Sequence, residues 1–174
     1  MKAPADQVRR AFARQPEEIR RKVEPLVKRL EGDVDAQRAR LAELASVLEG
    51  GDPAKGREIF QGRKASCTAC HAVAGQGGRV GPDLSKIGGI RAPRDLLESV
   101  VFPSASFVRG YEPTAIRTKE GTVLDGVIAR ETADAVTLTL ADRNERRIPR
   151  ATIEALAQGK ISIMPQGLDR QLTP

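Results

Sequence analysis

Every thiol and the only imidazole of this 174-residue chain lie in one pentapeptide, Cys67-Thr68-Ala69-Cys70-His71. Few folds use such a concentration. A structural zinc site asks for four protein ligands, and only three candidates exist. A redox Cys-x-x-Cys belongs in a βαβ setting, whereas Gly75, Gly77, Gly78 and Gly81 make the following stretch a glycine-rich loop. A plain structural disulfide has no use for His71. The chain is also poor in aromatics, with four Phe, one Tyr and no Trp. A core built here lacks large flat apolar surface of its own, so something else has to supply it.

The pentapeptide does match C-x-x-C-H, the attachment sequence for c-type haem. Two thiols one helical turn apart add across the two vinyl groups of one porphyrin, and the next imidazole is placed under the iron. The expected cofactor is one covalent haem c per chain, with its iron. Cys67 and Cys70 would attach it and His71 would ligate it.

Composition narrows the partners. Hydrophobic residues make up 40% and charged residues 30%, which suits a soluble globular chain rather than a disordered one. No apolar run approaches the roughly 18 residues of a membrane span. The start, Met1-Lys2-Ala3-Pro4-Ala5-Asp6, has no apolar stretch of a signal peptide. Net charge is +6. Residues 51–110 carry nine basic and five acidic groups, while residues 1–50 carry eleven and nine, and residues 111–174 nine of each. The excess therefore lies on the segment with the Cys and His. With so few aromatics for base stacking, an acidic protein partner is expected and nucleic acid is not.

Along the chain, residues 1–50 read as a helical extension. Ile19, Val23, Leu26, Val27 and Leu30 share one face, Pro25 predicts a kink or fresh start, and Gly32-Asp33 punctuates. A second stripe through Val34, Leu41, Leu44, Ala45 and Leu48 runs to Gly50-Gly51. These two helices predict a hairpin that serves as a lid or domain edge, or docks on a preceding domain. Asp52-Pro53 caps a helix over Ala54–Phe60, and Pro93 with Asp95 opens another that Pro103 closes. Residues 112–118, 123–131, 135–140 and 145–149 are β-rich runs, with turns at 119–121 and 141–144. They predict a four-stranded antiparallel meander. A helical turn near Thr152–Leu156 and an extended run Ile161–Pro165 follow.

Around the pentapeptide, Gly56-Arg57-Glu58-Ile59-Phe60 and Gly81-Pro82-Asp83-Leu84 make the chain resemble the class I c-type cytochromes. More narrowly it resembles the haem-binding domain of Planctomycetes and Verrucomicrobia, usually C-terminal in large dehydrogenases. Gly51–Arg57, Val80–Leu84, Leu96–Ser99, Gly110–Glu112 and Ile163–Leu168 carry that resemblance, over roughly residues 51–174. It implies a mainly α cytochrome c fold over 51–174, with a β-rich insertion at 112–150 and the usual C-terminal helix missing. Thr173-Pro174 reads as the start of that helix. In its absence Phe60 is expected to be buried under Leu41, Leu44 or Leu48, or under a neighbouring molecule.

The resemblance also assigns residues. The Pro82 carbonyl would accept a hydrogen bond from the proximal imidazole, and Leu84 would lie on the haem face. With a single His, the sixth ligand falls to Met164, in a Met-Pro sequence like the one that supplies the distal thioether; His71 and Met164 would then hold the iron. Arg79 reads either as a propionate partner or as a solvated loop residue, and Tyr111 either as a propionate partner or as a packing hinge.

The function implied is electron transfer by a monohaem domain that accepts electrons from a fused or docked dehydrogenase. Such a domain is not itself an enzyme, though it can be part of a larger oxidoreductase. The rivals are a haem-based gas sensor or peroxidase-like protein with a labile distal ligand, and an interaction module on an SH3-like or Sm-like β insertion. Haem attachment implies the bacterial periplasm, as part of a longer exported protein.

Overall fold

The computed structural model describes residues 4–172. The helix start expected at Thr173-Pro174 lies outside the described residues. The chain divides into two compact units, Met1–Ser46 and Val47–Pro174.

In the first unit α1 (Pro4–Phe12) packs on α2 (Glu17–Glu43). This hairpin differs from the expected one. No break occurs at Pro25 or Gly32, and the partner helix is α1 instead of the 34–48 stripe. An interior Pro costs about 3 kcal/mol and a Gly about 1 kcal/mol in a helix. Against that stand strong helix formers and the i,i+4 pairs Glu17–Arg21 and Glu18–Lys22. Burial adds to them: Val27 and Ala5 are both covered. Arg9 on α1 reaches two carboxylates of α2, Glu31 at 2.6 Å and Glu24 at 3.6 Å.

The second unit opens with α3 (Pro53–Gln61), where the Asp52 carboxylate accepts from the N–H groups of Ala54 (2.8 Å) and Lys55 (3.2 Å). A 3₁₀ turn at Cys67–Ala69 leads into a small hairpin of β1 (Ala72–Val73) and β2 (Gln76–Gly77). Then comes α4 (Pro93–Val101). After it the chain enters β3 (Pro113–Thr118), β4 (Val123–Glu131), β5 (Ala135–Leu140), β6 (Glu145–Pro149) and β7 (Ile153–Gln158).

These five strands form one antiparallel sheet in the order β6-β5-β4-β3-β7. The expected meander accounts for β3 to β6. The helical turn expected at 152–156 is a correction: a 3₁₀ turn at Arg150–Thr152 ends there, and Ile153–Gln158 is a strand on the far edge of β3. Local propensity in Glu154-Ala155-Leu156 favours helix, but β3 offers an unpaired row of N–H and C=O groups that only a strand satisfies. The mainly α class expected from the resemblance is also overturned. About 40% of the structure is helical and 22% is strand, the latter mostly in the five-stranded antiparallel sheet.

The sheet has its own core. Ile116, Val136, Leu138 and Ile148 are buried, with Leu124, Ile128, Leu140 and Ile153 packed around them. Its two ends meet, because the Gly159 N–H donates to the Pro113 carbonyl at 2.7 Å. Beyond it the chain returns toward α4. Ser162 N–H donates to Ser104 Oγ at 3.0 Å, and the turn Leu168–Arg170 packs on α4 with Leu168 buried. Phe60 is half-buried rather than buried. Ile59, beside it on α3, lines a cleft of about 280 Å³ together with Glu58, Arg63, Lys64 and the distant Leu172.

Candidate functional site

The site is built from one turn and a loop that closes over it. Ser66, in the left-handed region at φ 51°, redirects the chain into the 3₁₀ turn, and its hydroxyl donates to the Arg63 carbonyl at 2.7 Å. The Cys67 carbonyl then accepts from both Cys70 N–H (3.1 Å) and His71 N–H (2.9 Å). A single turn thus carries both thiols and delivers the imidazole. Both Cys are half-buried and neither is in a disulfide. Burial pushes the Cys67 thiol up, and the neighbouring Cys70 adds to the rise.

His71 is held by Pro82: its Nδ1–H donates to the Pro82 carbonyl at 2.8 Å. A carbonyl only accepts, so the ring proton sits on Nδ1 and Nε2 keeps its lone pair. That tautomer suits an imidazole bound to metal through Nε2, and the carbonyl partner raises its donor strength.

Backbone rungs bring Pro82 there. Gly78 N–H donates to Thr68 O, Gly81 N–H to Cys70 O and Leu84 N–H to Ala72 O, each at 2.8 Å. The approach demands missing side chains. A Cβ on Gly78 would run into the Ala69 carbonyl, and one on Gly81 would run into the His71 ring. Gly81 belongs to the family-like loop, whereas Gly77 and Gly78 belong only to the glycine-rich stretch before it. Their only sequence signal is a run of glycines, which does not say which backbone they must touch.

The structure brings His71 and Pro82 together and ties half-buried Leu84 to Ala72. Met164 is held by other tethers. It is half-buried, and its N–H donates to Ser162 Oγ at 3.1 Å. Arg79, Asp83 and Tyr111 line a common cavity of about 180 Å³ with Ala72 and Gly81. The two loosely assigned residues, Arg79 and Tyr111, therefore sit beside the His71 loop.

The donor set fits covalent haem c. Two unbridged thiols on one turn suit the two vinyl groups, the Nε2 lone pair suits the iron, and the bare α-carbon of Gly81 leaves the ring its place. Among the described residues no three His, Cys, Asp or Glu side chains gather as a metal-binding cluster.

Residues 53–122 match the family described as cytochrome c. That family holds covalently attached haem c with iron, which is the cofactor of this segment. No curated protein matches the chain. A solved structure titled "1.55 A Crystal structure of the pleiotropic translational regulator, Hfq" is similar at 15% identity with a TM-score of 0.27. The similarity covers 37% of this chain and 86% of that one.

Proposed function

We propose that this chain, with its cytochrome c segment at 53–122, is a one-electron carrier of the Planctomycetes and Verrucomicrobia type, working in the periplasm. The observation that carries the reading is the Pro82-held tautomer of His71 on the same turn as two unbridged thiols. The haem supplies the redox chemistry; the protein holds it and sets how readily it takes an electron. Cys67 and Cys70 would attach it, and His71 and Met164 would hold its iron. The soft thioether favours ferrous iron and raises the potential.

The electron donor in this reading is a fused or docked dehydrogenase, and the partner face is acidic. Lys55, Arg57, Arg63, Lys64, Lys86, Arg91 and Arg94 are exposed around the site elements, which supports that polarity. Among the described residues no helix is long and apolar enough to cross a membrane.

The test is a chain matured with haem, denatured in acid organic solvent. Haem should stay on the polypeptide and vanish from it in the Cys67→Ala, Cys70→Ala double variant. Haem that extracts freely refutes the reading. Ferric and ferrous spectra of the same sample should be low-spin; a high-spin ferric centre favours the sensor or peroxidase-like alternative. Transfer to an acidic partner should slow as salt rises, since charges beyond about 8 Å are screened at physiological ionic strength.

A further inference from the structure

The Pro82–His71 hydrogen bond is held from both sides by backbone rungs, Gly81 to Cys70 and Leu84 to Ala72. A third rung is made by a side chain. Ala74 N–H donates to Ser85 Oγ at 2.7 Å. Ser85 is itself fixed: its N–H donates to Asp83 Oδ1 at 2.7 Å. The same residue thus takes the Ala74 N–H on its hydroxyl and anchors its own backbone on Asp83.

What it captures is a strained residue. Ala74 and Gly75 form the tip of the β1–β2 hairpin, both at positive φ (51° and 77°). Gly or Asn is the usual occupant of such a first turn position. An Ala there persists because its surroundings over-determine it. The captured N–H lies three residues after His71, and the capturing hydroxyl lies three residues after Pro82. The rung therefore ties the chain just beyond the ring to the chain just beyond its acceptor.

We infer that Ser85 is a positioning residue for His71, clamping the 72–77 hairpin to residues 82–85 and so setting the Pro82–His71 hydrogen bond. This rests on the reading of His71 as a haem ligand. An imidazole firmly bonded at Nδ1 is the better electron donor at Nε2 and favours ferric iron. Loosening the clamp weakens that bond and raises the reduction potential.

The test uses the haem-loaded chain, with wild type first checked for covalent, low-spin haem. Ser85→Ala should shift the ferric–ferrous equilibrium about threefold toward ferrous, roughly 28 mV at 59 mV per tenfold. Its ferric electron paramagnetic resonance spectrum should broaden as the ring loses its fixed orientation. Ser85→Thr keeps the hydroxyl and should restore both. If Ser85→Ala does not fold, Ser85→Cys decides, because a thiol accepts from the Ala74 N–H more weakly without a change of charge and should move the potential in the same direction. A lowered melting temperature with an unmoved potential means a merely structural Ser85 and overturns the inference. Wild type without covalent haem overturns the reading beneath it, and that outcome is seen before any variant is compared.

Discussion

Gly81 stands so close to His71 that a Cβ on it would lie 2.7 Å from Nδ1 and 2.9 Å from Nε2 of the ring. The neighbour it would strike is itself pinned to Pro82, so the ring cannot yield without giving up that bond. Gly81→Ala is therefore expected to cost about 1–3 kcal/mol as overpacking. It should also disturb the low-spin haem spectrum. Denaturant melts and absorption spectra of the variant check this, and wild-type behaviour in both would contradict the crowding.

Leu138 is fully buried at the centre of the sheet. Leu138→Ala should destabilise the sheet by about 2–5 kcal/mol. Covalent haem should remain, because Cys67, Cys70 and His71 lie outside the sheet. The measurement is a urea melt followed by far-ultraviolet dichroism beside a haem-retention assay. A melt that does not move would argue against this core.

Much of this was legible in advance. The runs at 123–131, 135–140 and 145–149 coincide with β4, β5 and β6, because β-branched stretches and polar turns agree there. β7 was not legible: Ala155 and Leu156 prefer helix, and only the open edge of β3 overrides them. Nor was the unbroken α2, since Pro25 and Gly32 argue locally for breaks that burial of Val27 outweighs. At the site, Cys67, Cys70 and His71 announce themselves by spacing. Ser85 does not, because its role depends on a hydrogen bond to Ala74, eleven residues away.

Asp83 is held below the usual carboxylate range, first by the Ser85 hydroxyl, then by the Ser85 N–H, with Arg79 helping. A depressed folded-state value means a contribution to stability that is present above the unfolded value, about pH 4. It is lost as pH falls through the lower folded value. Asp83→Asn should therefore flatten the acid limb of a stability–pH curve below about pH 4 and leave its slope above pH 6 unchanged. Urea melts across that range decide it; parallel acid limbs would show that Asp83 is not coupled to folding.

Met164→Ala removes the thioether proposed as distal ligand. The potential should fall, since soft sulfur stabilises ferrous iron, and carbon monoxide should bind the reduced form. Redox titration and a carbon monoxide difference spectrum test both. A low-spin spectrum indifferent to the substitution would point to another ligand.

The hydrogen bond from Gly159 to Pro113 makes the intervening sheet, for the rest of the chain, a connection of almost no length. Were residues 114–158 a flexible loop, returning Leu168 to α4 would carry an added closure cost of ~3 kcal/mol over a two-residue link. A sheet that folds on its own core absorbs that cost beforehand. The turn Leu168–Arg170 then docks on α4 across a link far shorter in space than in sequence.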